Sequence, residues 1–247
     1  MLRALGIPRD GTLLVHSAFR GFGRDGYDPA ATVEALAAYM APGTLLMPTM
    51  SWRFVKPDKP VFDELATPSN TGILTEVFRT KVARRRSLHP THSVAGIGAR
   101  ALEFLGEHHL SQTPCDRQSP FGKLVELDAW VVMMGVGMDC CTLLHHVEES
   151  VAPDLYIRSA SARERYVCRG RDGLEHEVWL RRHLFLPRDY WQFQDMLAHQ
   201  GQLGVHFCDT SACLGFRAAS MATVATEVLR RRPDAIIANP GQRYRMM

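Results

Sequence analysis

Up to about residue 150, short apolar runs alternate with longer stretches of helical period. Residues 12–17 (TLLVHS) form a nearly continuous apolar run of strand length. Residues 28–40 change period: Val33, Leu36, Ala37 and Met40 recur at helical spacing, and Pro29 suits a first helical turn. TLLM at 44–47 predicts the next strand, stopped by Pro48, which cannot donate to a ladder. A loop rich in Pro, Asp and Lys runs on to about Thr71. Helical patterns follow over 72–80 and 99–105, with a strand near 93–97 between them. AWVVMMGV at 129–136 is the strongest strand signal of the chain, and 142–151 after it reads as a helix. This alternation predicts an α/β fold with a mostly parallel central sheet flanked by helices.

From about Pro153 the texture changes. Residues 165–169 and 174–180 flank an Arg-Asp-Gly turn at 171–173, a hairpin signal. Residues 190–200 read as helical and 204–208 as extended, and 217–231 form an amphipathic helix ended before Pro233. The expected organisation is an α/β core over 1–152 and a smaller α+β lobe over 153–247, packed together as one continuous domain.

Composition narrows the class. Over 247 residues, 46% are hydrophobic and 22% charged, enough apolar mass for a sizeable core and too much for a disordered chain. The longest apolar runs fall far short of the ~20 residues that a membrane helix requires. No charged-then-apolar leader opens the chain, so a cytoplasmic protein with no membrane partner is expected. Lys plus Arg number 29 against 26 acids, a net charge of +3. That balance, with no basic stripe interleaved with aromatics, argues against a nucleic-acid partner. The six cysteines show neither a C-x-x-C pair nor zinc-finger spacing, and reduced thiols are expected.

Three segments carry candidate chemistry. In the first, the strand ending at His16-Ser17 runs into a loop containing Arg20, Gly21 and Gly23. Ligands of open α/β sheets lie beyond the carboxyl ends of strands, and glycines let backbone approach a ligand closely. The plainer reading is a strand-to-helix connection. The second is Arg84-Arg85-Arg86 followed by His89, Pro90, His92 and Ser93. Three arginines suit a phosphate-rich ligand, or else a solvated turn. Pro90 argues against both histidines sharing one helical face, and no further ligands complete a zinc set, so no metal is expected. The third opens the helix after the strongest strand: His145 stands three residues before Glu148 and four before Glu149, spacings that share a helix face. A histidine whose tautomer is fixed by a carboxylate is the usual equipment of a general base near neutral pH. The plainer reading is one buried histidine with two solvated glutamates. The second histidine of an H-x-x-E-H zinc motif is missing, and there is no G-x-S-x-G elbow.

Together these segments resemble the aminoglycoside 3-N-acetyltransferase family. The resemblance runs through VHSAFRGFG (15–23), GTLLMP (43–48), PSNTGILTEVF (68–78), RSLHPTHSVAGIG (86–98), SPFGKL (119–124) and GVGMDCCTLLHHVEE (135–149). It is weak after about Ala152, where FCDTS (207–211) stands in place of the family's Gly-rich strand.

The resemblance implies transfer of an acetyl group from acetyl-CoA to an amine, on an α/β fold distinct from the commoner GNAT acetyltransferases. It places the catalytic histidine at His145 and its acid at Glu148. It places cofactor contacts around His16, Ser17, Arg20, Gly21, His89 and Ser93, on the 1–152 core. The second lobe would complete the acceptor site, with Glu149 and Asp154 as the first acids to consider for a polycationic aminoglycoside. A homodimer is left open. Between Asp139 and Asp209 there are 11 acids against 8 arginines. That excess is small, so an acyl-CoA-dependent enzyme of natural-product or small-molecule metabolism is carried as an alternative. A CoA-binding homologue without turnover is a further one.

Overall fold

The computed structural model describes residues 1–238; the last nine residues of the expected C-terminal lobe lie outside the described residues. In chain order the elements are β1 (Thr12–Ser17), α1 (Arg20–Arg24), α2 (Pro29–Tyr39), β2 (Thr44–Pro48), β3 (Val61–Asp63), α3 (Ile73–Val77), β4 (Arg85–Arg86), β5 (Val94–Gly98), α4 (Ala101–Leu105), α5 (Pro120–Glu126), β6 (Trp130–Met134), α6 (Leu143–Val151), α7 (Pro153–Tyr156), β7 (Glu164–Arg169), β8 (Glu175–Leu180), α8 (Trp191–His199), β9 (Gly204–Cys208), β10 (Ser211–Arg217) and α9 (Ala218–Arg231). None of the described helices is long and apolar enough to cross a membrane.

The main sheet has seven strands in the order β4-β5-β2-β1-β6-β10-β9, so an α/β fold stands, but the sheet is mixed. Only its centre is parallel: β1 pairs in parallel with β2 through Leu14↔Leu46 and with β6 through Leu14↔Val131. β5, β4, β10 and β9 all run antiparallel to their neighbours. The expectation of a mostly parallel sheet is corrected on this point. An apolar run of strand length is the same in either direction, and the long excursion over 49–84 brings β5 back antiparallel. β10, where no strand was expected, returns from β9 through a tight turn in which Asp209 takes a φ of +48°.

The parallel centre follows from local chemistry. Asp28 caps α2 by accepting the Ala31 N–H at 2.8 Å, and Pro29 supplies a preset first turn. α2 is thus launched as the crossover between β1 and β2. Strand β1 is buried on both faces, and the sheet separates two apolar layers. One holds Leu13, Val15, Phe22, Val33, Leu36 and Phe78. The other holds Leu14, Val131, Met133 and the inner faces of α5, α6, α8 and α9.

Strands from both sides of residue 152 share both sheets. β10 and β9 extend the main sheet, and β3 pairs in parallel with β7 beside the β7–β8 hairpin. α8 docks at the end of β6: a Cβ on Gly137 would lie 2.1 Å from the Trp191 indole. Gly137→Ala should therefore destabilise the protein by about 1–3 kcal/mol through overpacking, seen as a lowered Tm. An unchanged Tm would show that the indole gives way freely.

Candidate functional site

The site grows from the chain that leaves β6. At Gly135 φ is +65°, and a Cβ there would sit 2.8 Å from the Ala18 carbonyl oxygen. Glycine lets the chain turn out of the sheet this close to the end of β1. A short 3-10 turn over Met138–Cys140 follows, and α6 begins, anchored by buried Leu143, Leu144 and Val147. His145 on its first turn keeps 21% of its side chain exposed, whereas Glu148 keeps none.

His145 Nδ1 lies 3.0 Å from Glu148 Oε2. An ionised carboxylate only accepts, so the ring proton belongs on Nδ1 and the lone pair on Nε2. The Tyr190 hydroxyl donates to Glu148 Oε1 and stands 3.0 Å from the same Nδ1. Arg188 Nε donates to Glu148 Oε1 at 2.7 Å. Burial pushes the Glu148 carboxyl up, but the charge and hydrogen bond of His145, then those of Arg188, outweigh it and hold it at about 2. Glu148 is therefore a carboxylate wherever the protein is folded near neutral pH. Burial, and then Glu148 itself, keep the Tyr190 phenol protonated, as a donor.

Glu149 faces another set of partners. It accepts from Thr113 Oγ1 at 2.5 Å and from the Cys115 backbone N–H at 2.9 Å, and its Oε1 lies 2.6 Å from His183 Nε2. The His183 ring stacks on His145 with centroids 4.3 Å apart and planes 26° from parallel. His92 closes the group, 5.3 Å from His183 and 6.4 Å from His145 between ring centroids. Burial, then neighbouring charge, holds His92 and His183 well below the ordinary histidine value, so both are neutral.

The other expected residues distribute as follows. Buried His16 and half-buried Ser17 end β1, where Ala18 N donates to Met134 O at the end of β6. His16 Nε2, Ser17 Oγ and, on the 67–72 loop, Asn70 Nδ2 are buried without a hydrogen-bond partner among the described residues. Arg20 is exposed and opens α1, so part of the expected loop is helical; Gly21 there makes room for Ser211. His89 is fully buried, stacked on His108 at 4.2 Å, and its Nδ1 accepts the backbone N–H groups of Thr91 and His92. That arrangement fixes the turn presenting His92. The Ser93 hydroxyl donates to Thr49 O at 2.7 Å and accepts from Arg86 Nε at 3.0 Å. Arg86 is buried over the Phe62 ring among carbonyl oxygens, while Arg84 and Arg85 are exposed. The three arginines thus do not act as one cluster. Asp154 is exposed on α7, outside the hydrogen-bonded network around His145.

His183, Arg188 and Tyr190 were not singled out from sequence. They lie on an irregular strap, 181–190, pinned by backbone hydrogen bonds from Arg181 to Gln112, Leu184 to Tyr156 and Asp189 to Ile236. Its polar residues among Leu184, Leu186 and Pro187 were the one available signal. Cys115, Glu149 and His183 also bring ligand-type atoms within 4.8 Å of one another, but the Glu149–His183 hydrogen bond already engages two of the three.

The family profile described as aminoglycoside 3-N-acetyltransferase matches residues 14–230. Aminoglycoside N(3)-acetyltransferase IV of Salmonella sp is 36% identical over 147 residues, which is 58% of this chain and 54% of that protein. The matched stretch spans only 54–61% of the length of the first curated relatives. Among solved structures, a substituted AAC(3)-IVa in complex with a gentamicin superposes with a TM-score of 0.79 at 25% identity, covering 97% of this chain and 89% of that one. AAC-IIIb bound to CoASH shares the fold, with a TM-score of 0.77 at 22% identity over 98% and 96% of the two chains.

Proposed function

The chain belongs to the aminoglycoside 3-N-acetyltransferase family, and from that membership we propose that it transfers the acetyl group of acetyl-CoA to an amine of an aminoglycoside, with His145 as general base. The observation that carries this reading is the Nδ1 contact of His145 to Glu148, which is ionised near neutral pH. It leaves Nε2, on a partly exposed ring, as the proton acceptor. Glu148 also stabilises the imidazolium that forms, and Arg188 and Tyr190 fix the carboxylate in place.

Acetyl-CoA would lie over the carboxyl ends of β1 and β6, where open α/β sheets take their ligands. The unpartnered buried atoms His16 Nε2 and Ser17 Oγ suit the amides of a pantetheine arm. Arg20, exposed at the start of α1, suits a phosphate group. His89 and Ser93 would act by holding the 87–93 turn, because their inner atoms are already committed. Glu149 would act through His183 rather than by direct contact with acceptor, and Asp154 only as a surface charge. The reaction draws on a cytoplasmic metabolite, and that is where we place the enzyme.

Thiol release from acetyl-CoA, followed with gentamicin or apramycin and with simple monoamines, tests the reading. Release that depends on an aminoglycoside is expected. Release with monoamines alone would move the protein to small-molecule acylation, and none with any amine would point to a binding homologue.

A further inference from the structure

N-Acetylation of an ammonium group poses a proton problem that one base does not solve. The nitrogen begins with three protons and ends with one, while a C–N bond forms and the thioester C–S bond breaks. One of the two departing protons ends on the CoA sulfur and the other must leave for solvent. His145, on the reading above, can carry the first from nitrogen to sulfur and is then restored to its starting state. The second has no carrier in that scheme.

Resting on the acetyl-transfer reading, we propose that Glu149 and His183 form a second acid–base dyad, which takes the surplus proton of the acceptor's ammonium and discharges it to solvent. Two successive carboxylates of α6 each hold an imidazole, Glu148 that of His145 at 3.0 Å and Glu149 that of His183 at 2.6 Å. The two rings lie face to face at 4.3 Å, so an amine beside one is within reach of the other. His183 Nε2 is turned to Glu149, while its Nδ1 has no hydrogen-bond partner among the described residues. Glu149 in turn is fixed by Thr113 and the Cys115 amide. Beyond it opens a separate polar cavity of about 360 Å³, lined by Glu149, Thr113, Asp116, Arg117, Ser150 and Arg181. A proton arriving at His183 Nδ1 therefore has a path: Nε2–H passes to Glu149, and Glu149 releases it into that cavity.

Burial raises the Glu149 carboxyl to about 8, and burial with the nearby charge of His145, His92, Arg188 and His89 keeps His183 neutral. Asp116 and Glu148 face Glu149 and push it in the same direction. Below about pH 8 the pair already holds the proton it would have to accept, so its contribution grows as pH rises through that value.

The test compares the wild type with His183→Gln, which keeps a side-chain amide near Glu149, and with Glu149→Gln. Turnover of His183→Gln should fall by about two orders of magnitude, the lower end of general-base effects, with CoA affinity unchanged. In Glu149→Gln the limb of the pH profile near 8 should disappear. The acceptor's own ionisation affects all enzymes alike and cancels in that comparison. His183→Gln with more than about a tenth of wild-type turnover and an unaltered profile would overturn the proposal. The pair is also read without turnover, by ¹⁵N NMR of the imidazoles: a His183 resonance that titrates identically in wild type and Glu149→Gln would overturn the dyad even in a protein that transfers nothing. A shared titration in a wild type inert toward every amine would instead retire acetyl transfer, and the catalytic use of the dyad with it.

Discussion

Replacing His145 by alanine should remove at least about two orders of magnitude of turnover while CoA still binds with wild-type affinity, because a general base acts on the acceptor's proton and contributes typically 10²–10⁴-fold. The split between the two readouts is the point. His145 belongs to α6, with Nδ1 on Glu148 and its ring partly exposed, whereas the atoms proposed for the pantetheine arm, His16 Nε2 and Ser17 Oγ, belong to β1. Loss of CoA binding together with turnover would show that His145 is part of the donor cleft. Retention of more than about a tenth of the activity would demote it to packing, since that is too small a loss for a general base.

Acid should unfold the protein steeply below about pH 6.5, and through histidines more than carboxylates. His16, His89 and His108 are each at most 6% exposed. Burial lowers His16 to about 4 and His108 to about 3, and His89 falls well below 6.5. The folded state refuses protons that these side chains take up once unfolded. Their stabilisation is therefore complete above 6.5 and is lost as pH falls toward the folded values. These three alone cost about 4 kcal/mol per pH unit in that window, and His92 and His183, also lowered by burial, add to the slope. Glu149 works the other way: raised to about 8, it gains stability as pH falls, and offsets roughly one of these protons. Below about pH 4.5 the salt-bridged Glu148, held at about 2, adds its own loss. Against a typical stability of about 5–15 kcal/mol, the net slope is enough to unfold the chain within a few pH units. Melting temperatures measured from pH 7.5 to 4.5 should show the fall, and His108→Gln should flatten it by about one proton's worth. A Tm that does not change over that range would contradict the burial of these histidines.

The His145–Glu148 contact was legible because its information is local: the two residues are three apart on a helix that follows the strongest strand signal. The groups that hold the pair were not. Arg188 and Tyr190 lie 40 and 42 residues from Glu148, and His183 lies 34 from Glu149. The 181–190 strap carries no period that points back to α6, so only the folded chain joins them. Arg86 shows the opposite failure, a local pattern with the wrong meaning. Three successive arginines read as one charged surface, yet the strand pleat turns Arg86 inward onto Phe62 and Arg85 out to solvent, while Arg84 is exposed ahead of the strand. Glu149 was read as an acceptor-facing acid from its closeness in sequence to His145, and spacing does not reveal that Thr113 and the Cys115 amide also hold it. Strand positions were legible from apolar runs, but their directions were not, because direction is set by the connections between strands.

The most direct test of acetyl transfer is mass spectrometry of an aminoglycoside incubated with acetyl-CoA and the protein, with fragmentation to locate the modified nitrogen. One acetyl group on a single amine is expected, formed by the wild type and absent with His145→Ala. An unmodified aminoglycoside in the presence of wild-type protein that binds acetyl-CoA, or acetylation that proceeds equally with His145→Ala, would contradict it.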